Sequence, residues 1–207
     1  MALERGDSLL IQFARLPRVG QVKTRLIPAL GEEGACELHA ELMQHCCRQL
    51  LAARLGPVEL WLDKPPGDEP GVAACRHMGA SIRLQAGRDL GERMYHALED
   101  GLSRYRRVIL VGSDCPGIDS DYLRRAEHAL ANNQLVLGPA TDGGYVLIGA
   151  LLVDQNVFRD VEWGGDAVLA KSRANIADLG WDLGILPELA DIDRPEDLAL
   201  WYEGGWR

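Results

Sequence analysis

The sequence predicts an α/β protein built on a mostly parallel, twisted sheet with helices on both faces. Two observations carry this. Apolar runs of strand length alternate with segments of helical periodicity through the first two thirds of the chain, the order that builds βαβ units. No repeat or linker interrupts the alternation, so a single domain over residues 1–207 is expected.

Each element follows from local pattern. Ser8–Ala14 is a short apolar run suited to a buried strand. Pro17, Gly20 and Pro28 exclude a regular element just after it. Ala35, Leu38, Leu42, Cys46 and Leu50 recur at helical spacing, predicting a helix over Gly31–Leu55 that stops at Gly56. Val58–Leu62 reads as a strand, Asp63–Gly71 as a Pro/Gly loop, Val72–Met78 as a short helix and Ser81–Leu84 as a strand. Asp89 is placed to cap a helix from Leu90 to Arg104. Arg107–Val111 is the clearest buried strand, and Asp119–Leu130 a helix capped by Asp119 or Ser120. Leu135–Leu137 and Tyr145–Ala150 are strands around the loop Gly138–Gly144. A helix over Asp166–Leu179 precedes an extended stretch to Leu189. The tail Arg194–Tyr202 opens on Pro195, with Glu196 and Asp197 in its first turn.

Composition narrows the class. An apolar content of 47% is that of a globular protein. No apolar run approaches the roughly 18 residues that span a membrane. The opening Met-Ala-Leu-Glu-Arg-Gly-Asp-Ser lacks the basic-then-apolar order of a signal peptide. The cysteines number five and include no C-x-x-C pair. They read as reduced thiols in the cytoplasm, with no zinc site. A net charge of −9 argues against nucleic acid as a partner.

That charge is uneven. From Ser8 to Gly31 there is no acidic residue, yet Arg15, Arg18, Lys23 and Arg25 fall there. In parallel sheets, ligands bind outside the carboxyl ends of the strands. This basic loop, Gln85–Asp89, Gly112–Pro116 and Gly138–Gly144 each follow a predicted strand and converge on one edge. Alone, the loop Arg15–Arg25 reads equally as a solvated face; beside the other three loops it reads as a site for an anionic substrate. Gly20 lets backbone approach a ligand, and Lys23 and Arg25 supply cationic donors. Val22 stands where a Walker A motif needs glycine, which disfavours a P-loop NTPase. Asp114, just past a buried strand, suits Mg²⁺, which takes one or two carboxylates and the substrate's phosphates. Asp191 and Asp193, alternate residues of an extended segment, point the same way and can share one cation. Asp142-Gly143-Gly144 reads equally as a hairpin turn. The five histidines, His39 among them, read as surface or satisfied core residues. Trp163, Trp181, Trp201 and Trp206 read as core or interface, with Trp201 and Trp206 at a dimer contact or on the chain's own sheet.

The segments IQFARLPRVGQVKTRL, QAGRDLGERM, VGSDCPGI, LGPATDGGYVLIG and DIDRPEDL resemble, in order, the motifs of a bacterial family of the GT-A (nucleotide-diphospho-sugar transferase) superfamily. Its members are known as glycosyltransferase-A-like or selenodomain-associated transferases, relatives of the molybdopterin and phospholactate guanylyltransferases. The resemblance covers nearly the whole chain. Arg15 stands where that family usually has lysine. Glu162–Leu169 replaces its more usual Trp-Ser-Thr-x-x-Val pattern.

The resemblance implies a three-layer α/β/α GT-A fold with a mostly parallel mixed sheet. It also implies a nucleotide bound with Mg²⁺ (or Mn²⁺). Lys23, Arg25 and Asp114 would be catalytic, and Arg15, Gly20, Lys23, Arg25, Gln85 and Asp89 would hold the nucleotide. Asp142, Gly143 and Gly144 would shape the acceptor side, and Asp114 with Asp191 or Asp193 would hold the metal. The expected reaction is nucleotidyl transfer from an NTP to a small anionic or phosphorylated acceptor. Glycosyl transfer from a nucleotide sugar and a catalytically silent nucleotide-binding module are the alternatives. A monomer or homodimer without a membrane span is expected.

Overall fold

The computed structural model describes residues 6–206. Met1–Arg5, part of the segment read as leader-free, and Arg207 lie outside the described residues. Seven strands form one sheet: β1 (Gly6–Ala14), β2 (Val58–Leu62), β3 (Ser81–Leu84), β4 (Tyr105–Val111), β5 (Leu135–Pro139), β6 (Tyr145–Ala150) and β7 (Leu183–Ile185). Among the described residues six α-helices accompany them: α1 (Ile27–Ala53), α2 (Pro70–Met78), α3 (Leu90–Arg104), α4 (Ser120–Ala129), α5 (Val168–Asp178) and α6 (Leu198–Glu203). The spatial order is β3-β2-β1-β4-β6-β5-β7. Only β6 runs antiparallel, against β4 and β5; the other pairings are parallel. The carboxyl ends of β1 to β5 therefore share one edge, as expected.

Strand periodicity divides the core between two faces. Leu10, Leu60, Ile109 and Val136 pack with α1 and α4 through Met43 and Leu123. Leu9, Ile11, Val108 and Leu135 point the other way, onto Met94 and Leu98 of α3 and Ile176 of α5. A third cluster joins Leu38 and Leu42 of α1 to Ile192 and Trp201. Trp201 is 1% exposed, so the tail packs on the chain's own α1.

Two expectations about α1 need correction, at Pro28 and at Gly56. Pro28 does not interrupt the helix but opens it, because a proline in the first turn has no N–H to leave unpaired. The chain bends at Gly31, φ 73°, before the long run begins. The helix ends at Ala53 with Arg54, φ 55°, in the left-handed cap position that Gly56 was expected to supply. Gly56 serves close approach instead: a Cβ there would lie 2.0 Å from the Ser8 carbonyl oxygen. Elsewhere Asp89 caps α3 by accepting from the Glu92 N–H, and Asp119 caps α4 by accepting from the Tyr122 N–H.

One buried polar network lies beneath the carboxyl edge. Gln12 is fully buried in β1. Its Nε2 donates to the Met43 carbonyl (2.8 Å) and to Ser113 Oγ (2.9 Å), and Ser113 donates to the Phe13 carbonyl (2.8 Å). The loop after β4 is thereby tied to β1 and α1. Gln12→Leu removes two buried hydrogen bonds and should lower unfolding stability by about 2 kcal/mol, read by urea denaturation.

His45 of α1 donates from Nε2 to the Pro116 carbonyl (3.1 Å) and meets the rings of Trp201 and Trp206 edge-on, both at 5.7 Å. Burial holds its pKa below the usual histidine value. Below the ordinary pKa of about 6.5 the unfolded chain then binds a proton that the folded chain resists, so acidification costs stability. The melting temperature should fall between pH 7 and 5.5. His45→Gln, which retains a donor near the Nε2 position, should flatten that slope.

Candidate active site

Loop ends at the carboxyl edge are stitched together by side chains that bond backbone. Gln85 Nε2 donates to the carbonyls of Ala14 (3.2 Å) and Trp61 (2.8 Å), and the Leu16 N–H donates to Asp63 Oδ1 (2.7 Å). A cleft of about 610 Å³ opens above them. Of the residues expected to hold a nucleotide, Arg15, Lys23, Arg25, Gln85 and Asp89 line it. Asp114 and Asp193 line it as well. Gly20 is not among the lining residues; it sits in the turn closed by the Gln21 N–H donating to the Arg18 carbonyl (3.0 Å).

Lys23 is the centre of the arrangement. Its side chain is 3% exposed, and its backbone is left-handed at φ 46°. The ammonium lies 2.9 Å from Asp114 Oδ2 and 4.0 Å from Asp193 Oδ1, and it donates to the Ile192 carbonyl. Arg25 pairs with the other oxygen of Asp193 and stays 62% exposed, facing the cleft. The Ile192 N–H donates to the Asp114 carbonyl (2.9 Å). Three distant segments thus meet at one ammonium group.

Asp114 reaches solvent through the cleft, while its Oδ1 is buried and has no hydrogen-bond partner. Burial pushes its pKa up, but Lys23 first, then His39 and more weakly Arg15, outweigh this and hold the carboxyl below the usual range. His39, read from sequence as a surface or satisfied core residue, is in the cleft wall. Its Nε2 donates to the Arg15 carbonyl (2.9 Å), and its Nδ1 faces Asp114 Oδ1 at 3.8 Å. Arg93, on the first turn of α3, is a further cation that sequence reasoning missed. It stands four residues beyond the cap Asp89, on the cleft side of the helix.

Asp191 and Asp193 line different, adjoining cavities. Ile192 between them is fully buried. Asp193 turns to Lys23 and Arg25, whereas Asp191 lines a second, smaller cavity of about 240 Å³. That cavity adjoins the first, since Leu90, Gly112 and Asp114 line both. Asp142 and Gly144 line it too. The pKa of Asp191 is raised by burial and then by the nearby carboxylate of Asp142, so the two acids are close. Asp142 Oδ1 accepts from the Gly144 N–H (2.9 Å). Gly143 instead serves packing: at φ 88°, a Cβ would meet the Asp166 carbonyl oxygen at 2.1 Å. Trp163 forms one wall of this cavity, braced by Tyr145 and Phe158 with ring centroids 6.3 Å away in each case.

Among the described residues, no group of three or more His, Cys, Asp or Glu side chains is arranged to hold a metal ion. No helix among them is long and apolar enough to cross a membrane.

The comparisons agree with this architecture. A crystal structure from Desulfovibrio desulfuricans G20, named a "putative nucleotide-diphospho-sugar transferase", is 30% identical, with a TM-score of 0.82 over 96% of this chain and 87% of that one. A nucleotidyl transferase from Methanothermobacter thermautotroptrophicus is 16% identical, with a TM-score of 0.63 over 96% of this chain and 97% of that one. Glucosyl-3-phosphoglycerate synthase from Mycobacterium tuberculosis, solved with Mn²⁺, UDP and glucosyl-3-phosphoglycerate, is 11% identical, with a TM-score of 0.57 over 97% of this chain and 76% of that one. The last two likenesses are of fold alone. No curated protein matches the chain in sequence. Residues 40–165 match the model of a family described as an uncharacterized protein conserved in bacteria, DUF2064. With its α/β fold built on a mostly parallel mixed sheet, the chain belongs to the DUF2064 family.

Proposed function

We propose that the protein is an enzyme of the transferase class that uses a nucleotide, and that it transfers a nucleotidyl group from an NTP to a small phosphorylated or otherwise anionic acceptor. The observation that carries this reading is the Lys23 ammonium held between Asp114, Asp193 and the Ile192 carbonyl, with Arg25, Arg15 and Arg93 around the same cleft. That concentration of cations in a protein of net charge −9 suits a polyphosphate. The names of the structural relatives support the same class.

In this reading the chain acts by positioning and by charge stabilisation. Lys23 and Arg25 bind the triphosphate and stabilise the pyrophosphate that leaves. Lys23 already has two close acceptors, Asp114 and the Ile192 carbonyl, and its distant partner Asp193 at 4.0 Å is the one it exchanges for phosphate. Arg15 and Arg93 orient the nucleotide, while Gln85 and Asp89 frame its base or ribose side. Gln85 does so through loop bracing, its amide donors being spent on backbone carbonyls. Gly20 contributes through the turn that delivers Lys23. The carboxylates fit a divalent cation: Asp114 Oδ1 is a buried acceptor without a partner, and Asp191 crowds Asp142. Mg²⁺ (or Mn²⁺) would be held by Asp114 with Asp191 or Asp193, and when bound it supplies charge neutralisation at the transferring phosphoryl group. The reading treats residues 1–207 as one catalytic unit, in the cytoplasm, where five unpaired cysteines stay reduced.

Glycosyl transfer from a nucleotide sugar is the second reading, favoured by the name of the 30% identical relative. Product identity separates the two, since pyrophosphate is released by the first and a nucleoside diphosphate by the second. With NTPs and a panel of acceptor phosphates, pyrophosphate release is expected. It should drop at least about a hundredfold in Asp114→Asn, the scale of losing one preorganised charge. Turnover equal to wild type in that variant would sink the assignment of Asp114. Arg25→Ala should raise the KM for the nucleotide roughly tenfold or more, as expected for a lost charge-assisted contact to phosphate.

A further inference from the structure

The interface between α1 and α2 holds two cysteines that the cleft leaves unused. Each helix joins a pair of parallel strands, β1 to β2 and β2 to β3, so both run in the same direction on one face of the sheet. Their contacts keep a single register. A Cβ on Gly71 would lie 3.1 Å from Ala40 Cβ and from Met43 Cε, and a Cβ on Gly79 would lie 3.9 Å from Leu51 Cδ2. Gly71, Cys75 and Gly79 follow one another at one-turn spacing, as do Met43, Cys47 and Leu51. The register that sets Gly71 on Met43 and Gly79 on Leu51 therefore sets Cys75 on Cys47. Both thiols are fully buried in the same core cluster. The Cys75 S–H donates to Cys47, which pulls the Cys47 thiol below its usual pKa against the effect of burial, with help from Arg48. The same bond, and then burial, push Cys75 up. Cys46 is engaged elsewhere, donating to the Gly112 carbonyl (3.4 Å), and Cys36 is the partly exposed thiol.

Local opening of α2 would reach the cleft. The helix has nine residues, has no side-chain cap at Glu69, and lies beside the edge strand β3. The loop 63–69 that leads into it grips the basic loop. Asp63 Oδ1 accepts from the Leu16 N–H (2.7 Å), Lys64 donates to Gln21 Oε1 (2.9 Å), and Glu69 pairs with Arg18 at 3.7 Å. A short helix and its lead-in loop open as one unit, so freeing α2 loosens that grip.

We propose that Cys47 and Cys75 are a redox-sensitive clamp, reduced at rest and closed by a small-molecule disulfide of the glutathione type. The Cys47 thiolate attacks one sulfur of the reagent, forming a mixed disulfide and releasing the first thiolate. Cys75 gives its proton to that thiolate and attacks the Cys47 sulfur, releasing the second. Two protein thiols are oxidised to one disulfide, and one reagent disulfide is reduced to two thiols. The reagent enters while α2 is open, and the bond then holds α2 and the loop 63–69 against the basic loop. A transient bond of this kind fits a reducing compartment. The clamp stands independently of the nucleotide reading.

The test uses the full chain carrying Cys36→Ser, which removes the partly exposed thiol. The folded protein is incubated with glutathione disulfide at mildly alkaline pH, the remaining thiols are alkylated, and peptides are mapped by mass spectrometry. A Cys47–Cys75 linkage that dithiothreitol reverses is expected, and it should be absent from Cys47→Ala and Cys75→Ala. Trypsin cleavage within Arg15–Arg25 should then be at least about tenfold slower in the oxidised protein than in the reduced protein, since cleavage follows the population of the opened form. That comparison needs neither alanine variant to fold. Glutathione left on single cysteines, no linkage at all, or a linkage formed only above the urea unfolding transition overturns the proposal. A linkage that forms in the folded protein yet leaves the cleavage rate unchanged overturns it too, because the bond would then not govern the loop.

Discussion

The ammonium of Lys23 is the point on which the site depends. A lysine this buried is tolerated only when its charge is paired and its donors are used. Here the partners come from two other parts of the chain: Asp114 after β4, and Ile192 with Asp193 beyond β7. The left-handed backbone at residue 23 costs about 1–2 kcal/mol for a residue with a side chain. That cost is offset where the fold closes around the side chain, a common condition at functional positions. The same contacts favour the ionised form of Asp114, whose Oδ1 is buried without a hydrogen-bond partner.

Layered below is the polar network of Gln12 and Ser113, which aims the loop after β4 from inside the core. Parallel strand order does the rest. With β1 and β4 adjacent, the basic loop and Asp114 leave neighbouring strands in the same direction. The chemical contrast between the two cavities follows from the same geometry. The basic loop supplies the first with charge, while the loops around Asp142 and Trp163 supply the second with acids and apolar surface.

Much of this was legible in the sequence wherever a local rule decides the outcome. The cap at Asp89, the run Val58–Leu62 and the hairpin strand Tyr145–Ala150 each carry their signal within a few residues. The basic loop was legible through charge contrast. Long-range placement was not. Alternation along an extended segment puts Asp191 and Asp193 on one side, but Lys23 and Arg25 draw Asp193 into the larger cleft while Asp191 lines the smaller cavity. His39 looked like any residue on the inner face of a helix, since nothing local reveals that α1 passes beneath Asp114. Arg93 carried a readable signal, four residues past the cap. Trp163 had none, because its wall position is created by tight packing against Gly91.

The strap around Ile192 has a consequence for biosynthesis. Lys23 and Ile192 are 169 positions apart, so most of the sheet can be made before the ammonium meets its last partners. Domains fold as chain emerges, at roughly 5–20 residues per second. During that interval Lys23 has Asp114 at best, and the cleft lacks one wall. A ribosome-bound chain that has not reached residue 193 therefore holds an unfinished cleft. Closure of the cleft around Lys23 arrives as a late event of translation, separate from the earlier acquisition of the fold.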